Sequence, residues 1–270
     1  MRYRLLVTDI DGTLVTAARE IPPSVREAVR AARARGVRAC LATGRIWRSA
    51  RRYVEDLGAD PPAILYNGGL VYDFATDRIW FRAVLPRQQA QAVLEILARY
   101  PQAQPHVYVD DRVYVGAVNA LTVAYQQKDG LEVEAVGDLR QWLRTDPMKI
   151  LTIGDRPVLE AAAREIDALR EPVTYVFSEH HYLEVLPPRV NKGVALQIVA
   201  ERLGVRPEEI IAVGDNLNDL AMIQYAGLGV AMQHAPETLR AEADYVAPGN
   251  DAGGLREVIE RFILAPEAAS

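Results

Sequence analysis

Leu5-Leu6-Val7-Thr8-Asp9-Ile10-Asp11-Gly12-Thr13 decides how this chain reads: an apolar run that ends in two carboxylates, a glycine and a hydroxyl. The run Tyr3 to Ile10 predicts a strand, and on an extended chain acids at i and i+2 face one way. In open parallel sheets ligands bind outside the carboxyl ends of the strands, so both acids emerge where a site forms. Gly12 permits a tight turn, and Thr13 offers a hydroxyl or an amide to an anion. The plain alternative is a solvated strand-end turn, because Asp and Gly are common turn residues. The surrounding sequence has to decide between them.

Downstream, strand-like and helix-like stretches alternate. Pro22, Pro23 and Ser24 offer helix-start chemistry before an Ala/Arg/Val helix that Gly36 closes. Val37 to Thr43 reads as a second strand, Ile46 to Leu57 as a helix, and Ala63 to Tyr66 as a third strand ending at Asn67-Gly68-Gly69. This succession predicts a parallel sheet covered by helices on both faces.

From about Ala83 to Pro187 the texture changes. Pro86 to Tyr100 reads as a helix, and His106 to Val109 and Val113 to Val115 as hairpin strands around an Asp110-Asp111 turn. A helix near Leu139 to Leu143, a strand at Lys149 to Ile153, a helix from Pro157 to Leu169 and a strand-rich Val173 to Leu186 follow. The reading is a mixed, helix-backed antiparallel sheet. From Asn191 the first style returns: helix Gly193 to Leu203, strand Ile210 to Val213, helix Leu217 to Tyr225, strand Gly229 to Met232 and helix Gly254 to Leu264. A parallel sheet interrupted and then completed makes 83–187 an inserted domain and 1–82 with 188–270 the core. The Ala/Pro-rich tail after Leu264 reads as unstructured.

Composition narrows the function. The 270 residues are half apolar and one quarter charged, the makeup of an ordinary globular protein. No run approaches the roughly 20 apolar residues that span a bilayer, and Met1 to Val7 carries no signal-peptide pattern, so the expectation is a cytoplasmic protein. Cys40 is the sole cysteine, which excludes an intramolecular disulfide and any cysteine cluster; it reads as core. With 31 basic and 36 acidic residues, a net charge of -5 and no dense basic run, nothing suggests nucleic acid, and small molecules are the expected partners. Lysine occurs only at 128, 149 and 192.

Three further clusters stand where a site would be. Thr43-Gly44-Arg45 ends the second strand with a hydroxyl, a close-approach glycine and a bidentate anion binder opening the next helix, although a capping Thr beside a surface Arg explains it as well. Gly214-Asp215-Asn216-Leu217-Asn218-Asp219 offers carboxylate and amide oxygens, the hard ligands magnesium accepts; an N-capping Asp is the alternative. Lys192, at the start of the re-entering helix, places a compact positive charge where it would neutralise a carboxylate and an incoming phosphate. Each bland explanation has to hold independently at every one of these positions.

In this order Asp9-Ile10-Asp11-Gly12-Thr13, Thr43-Gly44-Arg45, Asn191-Lys192-Gly193 and Gly214-Asp215-Asn216-x-Asn218-Asp219 resemble the four motifs of the haloacid-dehalogenase-like (HAD) hydrolases. Gly229-Val230-Ala231-Met232, with Ala235, Ala243-Asp244 and Asn250, is similar to the Cof-type branch of sugar phosphatases, as is the large insertion. Gly69 stands where that branch often has alanine, and Pro188-Arg189 precedes Lys192 without the usual glycine.

The resemblance implies a Rossmann-like parallel-sheet core with a large inserted α/β cap domain, and a magnesium-dependent phosphatase for small phosphate monoesters. It implies Asp9 as nucleophile forming an aspartyl-phosphate, and Asp11 as acid and then base. Magnesium would lie on Asp9, the backbone carbonyl of Asp11 and Asp215, with Asn218 or Asp219 supporting. Thr43, Gly44 and Lys192 would hold the phosphoryl oxygens. The cap would close over the core and choose the leaving group, with His180, His181, Tyr182 and Glu184 as candidate substrate contacts beside Arg45 and Asn67 from the core. Sugar phosphates are the family-level substrate; pyridoxal phosphate, flavin mononucleotide and phosphoglycolate stay open. A phosphomutase with the same nucleophile, or a phospho-aspartate signalling module, are the competing readings.

Overall fold

The protein is described from a computed structural model over residues 2–265; the tail expected to be unstructured lies, beyond Ala265, outside the described residues. Two compact units emerge: 2–45, 50–81 and 192–265 form one, and 46–49 with 82–191 the other. No helix among the described residues is long and apolar enough to cross a membrane.

The first unit starts with β1 (Leu5–Thr8), α1 (Pro23–Ala34), β2 (Arg38–Leu41) and, from residue 50 onward, α2 (Trp47–Leu57). All four residues of β1 are buried, as befits an inner strand of a parallel sheet covered on both faces. In α1, Val25, Ala28, Val29 and Ala32 recur on one buried stripe, and Pro23 sits at the helix start where its missing N–H costs nothing. Then come β3 (Ala63–Leu65), β4 (Leu70–Asp73) and β5 (Arg78–Arg82). The expected third strand is present and bridges the parallel sheet in parallel sense at Ala42–Ile64; the strand after it was not foreseen. Tyr66, Asn67 and Gly68 all take positive φ, at 53°, 54° and 102°, and this turn folds β4 straight back on β3 in antiparallel register. The three strands make a sheet of their own, and β3 meets the parallel sheet through the Ala42–Ile64 bridge.

The second unit carries α3 (Arg87–Leu97), β6 (Gln104–Val109), β7 (Arg112–Val115), α4 (Ala120–Asp129), β8 (Val133–Ala135), α5 (Leu139–Trp142), β9 (Lys149–Ile153), α6 (Arg156–Asp167), β10 (Thr174–Glu179) and β11 (Tyr182–Leu186). Its sheet has the order β10-β11-β9-β6-β7-β8, antiparallel except for the parallel β7–β8 pair. One face buries Val107, Ile150, Leu183 and Val185 against Val93, Leu97, Leu159 and Ala162 of α3 and α6. Asp110 and Asp111 form the β6–β7 turn in left-handed conformation. Helix α4 and strand β8 escaped the sequence reading because α4 buries only Thr122 and Tyr125 while exposing Leu121 and Val123, so its apolar residues trace no single stripe.

The chain re-enters the first unit through α7 (Lys192–Leu203), β12 (Ile210–Gly214), α8 (Leu220–Tyr225), β13 (Leu228–Met232), α9 (Glu237–Glu242), β14 (Tyr245–Ala247) and α10 (Gly254–Ile259). The parallel sheet has the order β14-β13-β12-β1-β2. From β1 the chain proceeds to β2 on one side, and from β12 outward on the other, so the strand order reverses between β1 and β12. That reversal opens a crevice at the strands' carboxyl ends. Leu5, Val7, Cys40, Ile210 and Ala212 pack beneath it with Leu196 and Val199 of α7.

Candidate active site

Asp9 emerges from the carboxyl end of β1 into this crevice and is only 6% exposed. Its amide donates to the Val213 carbonyl at 2.9 Å, which fixes it beside the end of β12. The chain then turns through Ile10–Leu14, with Gly12 at φ 79°. A Cβ on Gly12 would lie 2.3 Å from Asp215 Oδ2, so both the backbone conformation and the close approach require glycine. Thr13 Oγ1 donates to Asp215 Oδ1 at 2.7 Å and ties this turn to the loop after β12.

Lys192, the first residue of α7, is fully buried, with Nζ 2.7 Å from Asp9 Oδ1 and 2.5 Å from Asp219 Oδ1. Burial alone would lower its pKa, but the carboxylates of Asp219 and Asp9 more than offset that and hold it raised. Burial also pushes Asp9 well above the usual carboxylate range; Lys192 opposes this, while Asp219, Asp215 and Asp11 add to it. Asp219 spends its other oxygen on the amides of Asp215 (2.9 Å) and Asn216 (3.1 Å), so it shapes the loop and holds the lysine. Asp215 is raised by burial, an effect countered by His234, whose Nε2 stands 3.8 Å from its Oδ2. The sequence reading missed His234, a lone histidine in the turn after β13 with no motif around it.

The β2 and β3 ends supply the other side. Thr43 is buried, and its Oγ1 accepts from the Arg45 amide at 3.1 Å. Gly44 lies against Asn67, and a Cβ there would sit 3.0 Å from Asn67 Nδ2. Asn67 is left-handed and buried, and its Oδ1 accepts from Asn218 Nδ2 at 3.0 Å. Arg45 reaches Asp11 with Nε at 2.7 Å from Oδ2 and Nη2 at 2.6 Å from Oδ1. The structure thus brings Asp9, Asp11, Thr43, Gly44, Arg45, Asn67, Lys192, Asp215, Asn218 and Asp219 into the first unit. His180 and Glu184 belong to the second. There His180 occupies the β10–β11 turn with its ring 4.7 Å from His181, and Glu184 is buried in an ion pair with Lys149 at 2.5 Å.

The donor chemistry fits a hard divalent cation. Oxygens of Asp9, Asp215 and Asp219 come within 4.8 Å of one another. Counting Asp11, four carboxylates face two permanent cations, Lys192 and Arg45, so negative charge is in excess. Asn218 Oδ1 and Asn67 Nδ2 are buried without a hydrogen-bond partner among the described residues, an oxygen that suits a cation's surroundings and a donor that suits an anion.

Residues 6–259 match the haloacid dehalogenase-like hydrolase family. The chain is 30% identical to YxeH of Bacillus subtilis, an alignment covering 97% of this chain and 99% of YxeH. It is 28% identical to the pyridoxal phosphate phosphatase YbhA of Escherichia coli, with 98% and 100% covered. Among solved structures, a haloacid dehalogenase-like hydrolase from Bacteroides thetaiotaomicron superposes with a TM-score of 0.84 at 28% identity, over 96% of this chain and 99% of that one. The chain belongs to the haloacid dehalogenase-like hydrolases, and it is a phosphoric monoester hydrolase.

Proposed function

We propose that this chain is a magnesium-dependent phosphatase that hydrolyses small phosphate monoesters, sugar phosphates or related metabolites, through an aspartyl-phosphate on Asp9. The observation that carries the reading is the buried Asp9 carboxylate, held 2.7 Å from the fully buried Lys192 at the carboxyl end of the central strand. A carboxylate so placed presents one oxygen as nucleophile while Lys192 holds the other. Asp11 gives a proton to the departing alkoxide and later takes one from the attacking water. Thr43, the Gly44 amide and Lys192 bind the phosphoryl oxygens, and positioning and charge stabilisation supply most of the acceleration. Asp9, the Asp11 carbonyl and Asp215 would hold magnesium, with Asn218 and Asp219 behind them. The cation supplies neutralisation of charge on phosphate and carboxylate.

Choice of leaving group is assigned to the inserted unit. The Escherichia coli relative named for pyridoxal phosphate supports a small phosphorylated metabolite as substrate. The test is inorganic phosphate release from a broad panel of phosphorylated metabolites with magnesium. Release without any bisphosphate activator is expected. Turnover that returns the phosphoryl group to the sugar, with no free phosphate, would make the protein a mutase.

A further inference from the structure

Arg45 makes the most directional contact in the site, and that contact is to Asp11. Two parallel N–H···O bonds of 2.7 and 2.6 Å form a planar fork, the geometry that distinguishes Arg from Lys as a partner for carboxylate. The partners are unequally held, with side-chain exposure of 5% for Arg45 and 40% for Asp11. Arg45 is held in place: its amide donates to Thr43 Oγ1, its carbonyl accepts from the Tyr66 amide at 3.1 Å, and its guanidinium lies 5.1 Å from the centroid of the Tyr53 ring. Tyr53 is itself buried. Asp11 stands in the non-helical turn before Gly12. In this pair the arginine is the anchor and the carboxyl is the part being aimed.

We propose that Arg45 is a positioning residue that fixes the plane and direction of the Asp11 carboxyl for proton transfer, an inference that rests on the acid and base role of Asp11 above. The fork by itself favours the ionised carboxylate, so the proton Asp11 donates must sit on the lone pair outside it. The step that Arg45 serves balances as follows. The Asp9 Oδ–P bond forms as the bond from phosphorus to the leaving oxygen breaks, and that proton passes to the leaving oxygen. Then a water oxygen attacks phosphorus, the Asp9 Oδ–P bond breaks, and the water's proton passes to Asp11. A point charge in place of the fork would leave the carboxyl free to rotate about Cβ–Cγ and send the proton off line, where small misplacement is costly.

Leaving-group dependence reads this directly. An alkyl phosphate needs a proton on its departing oxygen, whereas p-nitrophenyl phosphate expels a stable phenolate without one, and its burst reports formation of the phosphoenzyme alone. General acid help is worth about 100-fold or more, so Asp11→Asn should lose that factor on alkyl phosphates and keep the phenolate burst within several-fold. Arg45→Lys should lose about 10-fold or more in kcat on alkyl phosphates, with KM and the phenolate burst changed less than about threefold.

A wild-type leaving-group dependence in Arg45→Lys beside a steep one in Asp11→Asn would overturn the proposal and leave Asp11's role standing. Equal losses on every substrate would overturn it too, making Arg45 a holder of phosphate. A flat dependence in Asp11→Asn would remove the role of Asp11 and the proposal with it. Thermal melts accompany each variant. Should Arg45→Lys fail to fold, Arg45→Gln carries the same expectations, and misfolding of both would make Arg45 a structural residue and overturn the proposal.

Discussion

Replacing Lys192 by Met removes the buried cation that contacts both Asp9 and Asp219 while keeping an unbranched side chain of similar length. At an effective dielectric of about 20, each contact of 2.5–2.7 Å is an attraction on the order of 6 kcal/mol, much of it offset by the cost of desolvating the three groups. What remains when one partner is deleted is the penalty of the orphaned carboxylates, about 3–5 kcal/mol. At roughly 2–4 °C per kcal/mol for a chain near this size, the melting temperature should fall by about 6–20 °C.

The pH dependence of that loss has a definite sign. Lys192 is raised above its ordinary 10.5 by its carboxylates, so its contribution is complete below that value and disappears only in strong alkali. Asp9 is raised above 3.8 by burial, so ionising it costs stability as the pH climbs from there, and more steeply once Lys192 is gone. Urea titrations of both proteins should therefore show the largest gap at neutral pH, narrowing as the pH falls toward 3.8. A neutral-pH gap below about 1 kcal/mol, the scale of an exposed pair, would mean that Lys192 is not holding buried charge. So would a gap that does not change with pH.

Gly12→Ala drives a methyl to within 2.3 Å of Asp215 Oδ2 from a backbone φ of 79°, so we expect about 1–3 kcal/mol of destabilisation by thermal melt and loss of phosphate release. Cys40 is buried, with its thiol pushed up to about 12 by burial, so it should resist a thiol reagent in the native protein at neutral pH and react once urea unfolds it. Chelation of divalent cations should abolish phosphate release and added magnesium restore it; an undiminished rate in chelator would contradict the metal-dependent reading.

The strand-end chemistry was legible because it needs only local pattern. An apolar run followed by Asp9 and Asp11 states both a buried strand and the residues it delivers, and the same logic reached Thr43, Lys192 and Asp215. Partners distant in sequence were not legible. Nothing around Asp11 announces that Arg45 will grip it, or that Thr13 will spend its hydroxyl on Asp215 and not on an anion. The antiparallel return of β4 was hidden because Asn67-Gly68 reads equally as a loop toward a helix, and only the run of positive φ values turns it into a hairpin. In the second unit, Glu184 was readable as a strand acid, but its burial against Lys149 depends on a cross-strand neighbourhood that periodicity does not encode.

The central claim, that Asp9 carries the phosphoryl group, is tested most directly by mixing the protein with magnesium and a turned-over substrate, quenching in acid, and measuring intact mass followed by peptide mapping. One added phosphoryl group is expected on the peptide containing Asp9, absent in Asp9→Asn, which should remain folded yet release no phosphate. A phosphoryl group on another residue, or phosphate release by Asp9→Asn at a rate near that of the parent, would contradict it.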